Sequence, residues 1–267
     1  MKELIIGLIF SSIIAVAAFK KKSLSLSGAI AAVLLGTLMY YFGGLVASGM
    51  MVAFFLSSSL LSHLFKGKKN ALEKVNEKGT RRDCFQVFAN GGMGLIFAAL
   101  FYYFNNPLFL VGCAAAFGEA NADTWASEIG VLSRKKPISI ITRRTIDTGV
   151  SGGVSPLGTL ASFLGAAFIG VSFSCIYFIT YGYNIIIIFA PLIITFLGFI
   201  GAIIDSLLGA TLQAQYYCEE EKLITEKSFY KDRANRLVKG YRIFNNDAVN
   251  FLSTLLCSLP IFLFIGR

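Results

Sequence analysis

The sequence predicts an all-α fold, a polytopic bundle of transmembrane helices. Hydrophobic residues make up 55% of the 267 positions, and the mean hydropathy is +0.69. Apolar runs of about 20 residues, the length that crosses a bilayer as a helix, recur along the whole chain. No segment between them is long and polar enough to fold as a soluble domain, so residues 1–267 are expected to form a single integral membrane domain.

Eight spans arranged as hairpins follow from the apolar runs. They are placed at about 3–19, 28–42, 44–65, 85–104, 107–130, 156–180, 184–214 and 246–265. The first run is followed at once by Lys20, Lys21 and Lys22. Lysines directly after a span act as a cytoplasmic anchor, so we expect an uncleaved first helix rather than a signal peptide.

The basic residues fix the predicted orientation. Of the 24 Lys and Arg residues, all but Lys2 and Arg267 fall in four loops, at about 20–27, 66–83, 131–148 and 215–243. The connections near Gly43–Gly44, Asn105–Pro107 and Tyr181–Asn184 contain none. By the positive-inside rule the four basic loops are cytoplasmic, in a protein of the plasma (cell) membrane.

The formal charge of +9 is thereby concentrated on one membrane face. In one interpretation this charge does no more than determine topology and attract anionic lipid. It can equally guide an anionic substrate from the cytoplasm. Nucleic acid is not an expected partner, because no loop interleaves aromatic residues with its basic ones.

Cysteine and histidine usage excludes several classes of site. The five cysteines are scattered without CxxC spacing, which argues against a disulfide framework or a zinc–thiolate site. His63 is the only histidine, so catalytic triads and multi-histidine metal sites elsewhere are excluded by count.

The fifth predicted span ends in GEANADTWASEIG, residues 118–130, which carries acids at membrane depth. Such acids usually face a bundle interior or an aqueous cavity. Glu119 and Asp123 are four residues apart and share a helix face, whereas Asn121 and Glu128 share another. Two carboxylates at this spacing suit Mg²⁺. The alternative is a carboxyl pair that shares a proton and only holds the bundle together.

A third acid, Asp205, lies at comparable depth in the seventh predicted span. Its distance from the cytoplasmic helix end is about 15 Å, against about 12 Å for Asp123. The segment from Asp205 to Gly209 also resembles that from Asp123 to Ser127, which suggests a weak internal repeat. Asp123, Glu119 and Asp205, here named the acidic cluster, are the predicted catalytic and metal-binding residues.

A glycine-rich segment, TGVSGGVSPLGTLAS at 148–162, follows a basic loop. Glycines let backbone N–H groups close around an anion, and the next helix start adds its positive dipole end. Arg143 and Arg144 lie just upstream. The segment can equally be a flexible turn that ends on Pro156 at a helix start. For residues 149–155, named the glycine loop, the predicted binding residues are Ser151, Gly152, Gly153 and Ser155.

Two further polar clusters are predicted at the same membrane face. Arg82 and Asn90 lie at the start of the fourth span, and Asn246 and Asn250 at the start of the eighth. Each cluster alone is typical of a helix cap or an interhelical hydrogen bond. Their convergence with the acidic cluster and the glycine loop predicts a substrate site.

The motifs QVFANGG, GEANADTWASEIG, GVSGGVSPLGT, GAIIDSLLGATLQ and NNDAVNFLS occur in this order. From about Arg81 onward the chain therefore resembles the transmembrane protein 19-like family. That family includes phytyl-phosphate kinase, so the resemblance implies a nucleoside-triphosphate-dependent kinase. A more distant likeness is to polyprenol kinase and CDP-diacylglycerol synthase type enzymes, whose second motif contains a Lys and a Glu that are absent here.

The sequence and the resemblance together predict a membrane kinase that converts an isoprenyl monophosphate to its diphosphate. Mg²⁺ would bind the acidic cluster, and the phosphates of CTP or ATP the glycine loop, with Arg143 and Arg144. Arg82 and Asn90 would orient the acceptor phosphate, while the prenyl tail would lie between helices or in lipid. Such a transfer depends on positioning and charge neutralisation, so it needs no histidine.

A transporter or flippase of a lipid-linked or small anionic substrate is the alternative, because paired hairpins and buried acids suit it too. A structural or assembly factor is a third. The outer half of the acidic helix is wholly apolar, which favours a one-sided enzyme site. Faces of small residues such as those at 165–167 allow a homodimer.

Overall fold

A computed structural model describes residues 1–65, 75 and 81–265 as a bundle of helices. The helices are α1 (Lys2–Lys20), α2 (Leu26–Leu64), α3 (Cys84–Phe104), α4 (Leu108–Gly130), α5 (Pro156–Tyr181), α6 (Ile186–Thr211) and α7 (Asn246–Ser258), which a 3-10 helix (Leu259–Phe264) extends. By length and composition, six helical segments of the described chain could cross a membrane. The acid-bearing α4 is not among them. The fold is the predicted all-α membrane bundle.

Helix α2 is a hairpin rather than one long rod. Gly44 interrupts it with φ 57° and ψ −149°, a conformation that favours glycine. A straight helix of this length would separate its ends by nearly 60 Å. Instead the Ser23 Oγ and His63 Nε2 atoms, which flank the two ends, lie 2.9 Å apart. Its halves, 26–43 and 45–64, are therefore two passes, and each of the eight predicted spans coincides with a helical segment.

Helix α4 is the central element and packs against α2, α3, α5, α6 and α7. Small side chains allow this, because Ala and Gly let neighbouring backbones approach closely. Its outer half belongs to the main hydrophobic core of the bundle. Gly165 and Ala166 of α5 are buried, with Gly165 against α4. The small-residue face predicted to permit a homodimer is thus already used inside one chain.

The described parts of the basic loops gather at one end of the bundle. Ser25 N donates to Arg82 O at 3.0 Å, and Gly152 contacts Ala210 at the end of α6. The all-α prediction omits short antiparallel strands in these loops. They are β1 (Ile138–Ser139), β2 (Gly153–Val154), β3 (Gln215–Cys218), β4 (Leu223–Thr225), β5 (Phe229–Tyr230), β6 (Arg233–Ala234) and β7 (Arg236–Lys239). Most of the predicted basic loop at 66–83 lies outside the described residues.

The strands form three small sheets. Strands β1 and β2 pair with each other, as do β5 and β6, and β3 lies between β4 and β7. Segments such as QYYC and LIT contain aromatic and β-branched residues, which favour strands over irregular loops. The three-stranded sheet directly follows α6, and Gln215 Nε2 of β3 donates to Gly209 O near the end of that helix at 3.3 Å.

Candidate functional site

A polar cavity of about 360 Å³ opens at the basic end of the bundle. Its walls come from the starts of α3 and α7, the ends of α4 and α6, and the connection between α4 and α5. Most predicted site residues line it, namely Arg82, Asn90, Asp123, Ser151, Gly152, Gly153, Ser155, Asp205, Asn246 and Asn250. Five separate stretches of sequence thus meet at one site.

Three predicted site residues do not line this cavity. Glu119 is only 1% exposed and packs on α6, where a Cβ at Gly201 would lie 2.4 Å from its Cγ atom. Within the described chain, neither of its carboxylate oxygens has a hydrogen-bond partner. Arg143 and Arg144 lie exposed in the loop after β1, where Arg143 has φ 55°.

Asp205 is positioned by side chains of α7. Ser253 Oγ donates to Asp205 Oδ2 at 3.3 Å. With its amide nitrogen turned toward the carboxylate, Asn250 donates to the same oxygen at 3.2 Å and to Asn246 O at 3.0 Å. These donors hold Asp205 at the cavity, which Asp123 also lines from α4.

The charges around the cavity favour a divalent cation accompanied by an anion. Among the described lining residues, the carboxylates of Asp123, Glu128, Asp205, Glu226 and Asp247 outnumber the cations of Arg82 and Lys135. This excess of negative charge would repel a polyphosphate alone. A hard divalent cation would compensate the charge of the carboxylates and that of the polyphosphate.

The predicted three-acid metal site is not assembled in the described residues. No group of three or more His, Cys, Asp or Glu side chains is arranged there to hold a metal ion. Of the three acids in the acidic cluster, Asp123 and Asp205 line the cavity and Glu119 does not. Mg²⁺ commonly uses one or two protein carboxylates and takes its remaining ligands from phosphate and water, so the pair still fits this ion.

The glycine loop is fixed against the end of α6. Gly152 has φ 84°, and a Cβ there would lie 2.9 Å from the backbone nitrogen of Ala210. Ser151 Oγ donates to Gln213 Oε1 at 2.6 Å, and Gln215 Nε2 donates to Ser151 O at 3.2 Å. The loop thus forms one wall of the cavity and is hydrogen-bonded to residues that follow α6.

The N-terminus of α5 borders the cavity through its cap. Ser155 Oγ accepts a hydrogen bond from Gly158 N at 3.1 Å, and Pro156 occupies the first helical position. This confirms the predicted helix start. The first turn of a helix presents unpaired N–H groups and a partial positive charge, which favour an anion at this wall.

Arg82 is held at the edge of the cavity by both its backbone and its side chain. Its N–H donates to Ser23 O at 3.0 Å. Its guanidinium donates to Ser59 Oγ at 3.4 Å and lies 5.5 Å from the ring centre of Phe54. Burial lowers the pKa of Arg82, and the neighbouring Glu128 carboxylate opposes this effect. A bound anion would offset the same desolvation cost.

The second polar face of α4 makes contacts within the bundle. Asn121 is fully buried, donates to Gly165 O at 2.8 Å, and accepts from Ser57 Oγ at 2.7 Å. Ser62 Oγ donates to Glu128. These hydrogen bonds tie α4 to α5 and to the 45–64 half of α2, so Asn121 stabilises the helix that carries Asp123.

Comparison with known proteins places this architecture in a family. The sequence signature described as integral membrane protein DUF92 matches residues 9–258. The chain belongs to the DUF92 family. This match confirms the family resemblance found in the sequence motifs and the integral membrane nature of the protein.

Relatives of this DUF92 chain occur in plants and archaea. It is 30% identical to Protein PGR of Arabidopsis thaliana, over 96% of this chain and 94% of that protein. It is 31% identical to an uncharacterised membrane protein of Methanocaldococcus jannaschii, over 79% and 84% of the two chains. Protein VTE6, chloroplastic, of Arabidopsis thaliana is 26% identical over 88% of this chain and 63% of its own. No solved structure matches.

The cavity of this DUF92 chain includes residues that the sequence reasoning missed, and two of them are charged. Lys135 lines the cavity from the connection after α4, and Glu226 lines it from just beyond β4. Gln213 Nε2 donates to Glu226 Oε1 at 2.7 Å, which links Glu226 to the glycine loop through Ser151. Neither residue belongs to a recognisable motif. Only the folding of the loops over the end of the bundle brings them to the site.

Proposed function

We propose that this protein is a membrane phosphotransferase that converts an isoprenyl monophosphate to its diphosphate with a nucleoside triphosphate, CTP or ATP, and Mg²⁺. The observation that carries the proposal is the shared cavity, which Asp123 and Asp205 line together with the glycine loop and Arg82. The isoprenyl substrate is inferred from the resemblance to the transmembrane protein 19-like family, which includes phytyl-phosphate kinase.

The cavity residues divide into three groups by the part of the reaction that each would serve. Asp123 and Asp205 would hold Mg²⁺, which would neutralise charge on the phosphate oxygens during transfer. The glycine loop and the first turn of α5 would hold the nucleotide phosphates, assisted by Lys135. Arg82 and Asn90, which line the cavity at the start of α3, would hold the acceptor phosphate.

The chemistry asks little of these side chains beyond alignment. An oxygen of the acceptor phosphate attacks the γ-phosphorus, and the bond from that phosphorus to its bridging oxygen breaks, releasing the nucleoside diphosphate. The attacking oxygen is already anionic, so no general base is required. Positioning and electrostatic stabilisation dominate such transfers, in agreement with a cavity lined by Arg82, amides and carboxylates.

The opposite half of the bundle favours an enzyme over the transporter alternative. Residues 109–117 of α4 are buried in the apolar core, and Phe97 and Phe262 pack together beside Phe109. A transporter needs polar groups that continue toward the second membrane face. Substrate uptake into proteoliposomes that survives Asp123→Asn would count against this assignment.

We infer the finer localisation from the sequence. The basic loops would be cytoplasmic in the plasma membrane, which puts the cavity within reach of soluble nucleotide. A cysteine introduced at Asn106, in the short connection between α3 and α4, should then react with an impermeant reagent added outside intact cells. Reaction only after permeabilisation would reverse the orientation.

The direct test uses the full chain in lipid nanodiscs with labelled CTP or ATP, Mg²⁺ and phytyl, farnesyl or geranylgeranyl monophosphate. The expected product is the diphosphate, formed only with Mg²⁺ present and lost on chelation. The matched inactive protein is Asp205→Asn, which keeps the shape of the side chain and the hydrogen bond from Ser253. The proposal fails if no diphosphate forms from any of the three isoprenyl monophosphates with either nucleotide.

A further inference from the structure

The side chain of Gln213 connects the glycine loop to Glu226 through two short hydrogen bonds. Ser151 Oγ donates to Gln213 Oε1 at 2.6 Å, and Gln213 Nε2 donates to Glu226 Oε1 at 2.7 Å. Gln213 is only 1% exposed, so bulk water does not compete for these bonds. Ser151 and Glu226 line the polar cavity and Gln213 does not, so this hydrogen-bond chain joins two cavity residues through the protein interior.

The backbone around Gln213 holds its side-chain amide in place. Gln213 N donates to Leu208 O at 3.2 Å, and Tyr241 N donates to Leu212 O at 3.0 Å. Gly240 has φ 72° and approaches so closely that a Cβ there would collide with Gln213 O. The segment that leads to α7 thus packs directly on Gln213 and leaves it little freedom to move.

The hydrogen-bond chain has one direction, which Glu226 sets. A carboxylate oxygen accepts hydrogen bonds, so the Gln213 atom beside it is the amide nitrogen. The amide oxygen of Gln213 therefore points to Ser151, and an amide oxygen only accepts. The Ser151 hydroxyl must then be the donor, and its proton is committed to Gln213. Ser151 can offer a ligand only the lone pairs of its oxygen.

A serine oxygen in this state suits a cation better than a phosphate. A phosphate oxygen needs a donor, but the Ser151 proton already has an acceptor in Gln213. A hard cation such as Mg²⁺ is bound by oxygen lone pairs. The Ser151 hydroxyl therefore differs from the backbone N–H groups of the glycine loop, which can only donate and which favour an anion.

The Ser151 hydroxyl lies against α6, one helical turn beyond Asp205. A Cβ at Gly209 would lie 2.5 Å from Ser151 Oγ, so the missing side chain at Gly209 makes room for the hydroxyl. Gly209 follows Asp205 by four residues, and the two share a helix face at a separation of about 6 Å along the axis. Asp123 and Asp205 thus line the same cavity as a hydroxyl oxygen that is prepared to accept.

We propose that Ser151 Oγ is a third protein ligand of the divalent cation held by Asp123 and Asp205, and that Gln213 and Glu226 are the positioning residues that orient it. The inference rests on the proposed function for the presence of the cation. Two carboxylates and one neutral hydroxyl would bind the ion, and its remaining positions would be left to phosphate oxygens and water. The glycine loop would bind the phosphates through its backbone and the ion through Ser151, so it would align the two.

Binding of the metal alone tests the ligand without any turnover. The full chain in nanodiscs of phosphatidylcholine, a lipid without net charge, is titrated with Mn²⁺, and free Mn²⁺ is measured by electron paramagnetic resonance. Ser151→Ala should raise Kd for Mn²⁺ about fivefold to tenfold. Ser133→Ala removes the hydroxyl of another cavity serine and should change Kd less than about twofold. Equal Kd values for the two variants, or no Mn²⁺ binding by the wild type, would contradict the proposal.

A soft ligand in place of the hydroxyl gives a sharper test. Ser151→Cys should raise the affinity for Cd²⁺ at least about tenfold and produce the ultraviolet absorption of a Cd–thiolate bond, because thiolates prefer soft cations. Ser133→Cys is the matched control and should give neither change. Adding Asp205→Asn to Ser151→Cys should reduce the gain, because both side chains would contact one ion.

The result that overturns the proposal is a Cd²⁺ affinity like that of the wild type in Ser151→Cys protein whose melting temperature is unchanged. If Ser151→Cys fails to fold, the Mn²⁺ titration of Ser151→Ala decides. Neither measurement depends on a nucleotide or on an isoprenyl substrate.

A double-mutant cycle separates the positioning role of Glu226 from the effect of its charge. Glu226→Gln keeps the shape of the side chain but lets it donate as well as accept, so the Ser151 proton is no longer directed to Gln213. Kd for Mn²⁺ should rise about threefold in the wild type and change less than about 1.5-fold in Ser151→Ala protein. The same rise in both proteins would mean that Glu226 acts on the cation through its own charge, which would contradict the positioning role.

Turnover separates this inference from the proposed function. If diphosphate forms, Ser151→Cys should lower kcat with Mg²⁺ and recover part of it with Mn²⁺, which tolerates a softer ligand. If Cd²⁺ binds as expected and no diphosphate forms, the cation site stands and the phosphotransferase reaction fails. If diphosphate forms while Ser151→Cys shows neither the gain in Cd²⁺ affinity nor the recovery with Mn²⁺, the reaction stands and Ser151 is not a ligand.

Discussion

The two polar faces of α4 are alike in the sequence but differ in the fold. Asn121 on one face is fully buried, and its oxygen and nitrogen both form hydrogen bonds to neighbouring helices. Asp123 on the other face lines the polar cavity, while Glu119, one turn deeper, has carboxylate oxygens without a partner in the described chain. Hydrogen-bond satisfaction and access to the cavity together separate Asn121, which stabilises the bundle, from Asp123, which can serve a ligand.

The difference also explains how acids can lie in this helix. An acid at membrane depth is tolerated where it faces a cavity or finds a partner. Asp123 has the first arrangement, and Glu128 has a hydrogen bond from Ser62. Glu119 is only 1% exposed, does not line the cavity and has no hydrogen-bond partner among the described residues. Of the three acids, it is the one whose burial these contacts do not explain. Variants that treat the faces separately can therefore test which acids act in the reaction.

The largest effect is expected for Asp123→Asn. The amide keeps the size of the side chain but removes the negative charge available to a metal ion, so kcat/KM for diphosphate formation should fall at least about 100-fold. The measurement is turnover of labelled nucleotide in nanodiscs. Glu119→Gln is the matched control, on the same face and outside the cavity, and should change kcat/KM less than about threefold. A large fall in kcat/KM for Glu119→Gln would instead indicate that Glu119 belongs to the metal site, as the sequence predicts.

The second effect concerns the glycine loop. Gly152→Ala places a side chain at φ 84° and against Ala210, so the loop must move away from α6. Left-handed backbone costs about 1–3 kcal/mol for a residue other than glycine, and we expect KM for the nucleotide to rise about tenfold. Initial rates at varied nucleotide concentration measure this rise.

Gly182 provides the control for that experiment. Its φ is 77°, but a Cβ there meets nothing within 4 Å. Gly182→Ala therefore introduces similar backbone strain at the other end of the bundle without a clash. It should lower stability slightly and leave KM for the nucleotide unchanged. Equal nucleotide KM values for the two variants would mean that the glycine loop does not contact the nucleotide.

The third effect tests the satisfied face of α4. Asn121→Leu removes the hydrogen bonds that Asn121 forms with Ser57 Oγ and Gly165 O, and hydrogen bonds between membrane helices are worth about 0.6–1.7 kcal/mol each. We expect a lower melting temperature in detergent, with KM for both substrates unchanged in the folded fraction. Ser57→Ala removes one of these bonds and should have a smaller effect. A normal melting temperature for Asn121→Leu would contradict the stabilising role.

The spans were predictable because they depend on local composition. Apolar length located each helix, and the glycine pair at 43–44 located the turn inside α2 even though the helix is otherwise continuous. The placement of Asp205 beside Asp123 was also accessible, since equal depth in helices that run in the same direction brings side chains to one level. Residue spacing and charge distribution carry this information directly.

The loops were less predictable because long-range contacts set their structure. Arg143 and Arg144 were chosen for their proximity to the glycine loop in sequence, yet the turn after β1 leaves them exposed. Lys135 lines the cavity instead. Glu119 shared a helical face with Asp123, but the rotation and depth of α4 against α6 direct it toward Gly201. Helical spacing gives a face, whereas packing decides which part of that face meets the cavity.

The smallest effect separates these loop cations. Lys135 is exposed, so its interaction with a nucleotide phosphate should be weak, about 1 kcal/mol or less, and Lys135→Ala should raise KM about threefold to fivefold. The rise should shrink at high salt because exposed charges are screened. Arg143→Ala removes an equally exposed cation from the same connection, outside the cavity, and should change KM less than about twofold. A larger effect for Arg143→Ala at low salt would favour general attraction of the anion by the basic face over contact at a defined position.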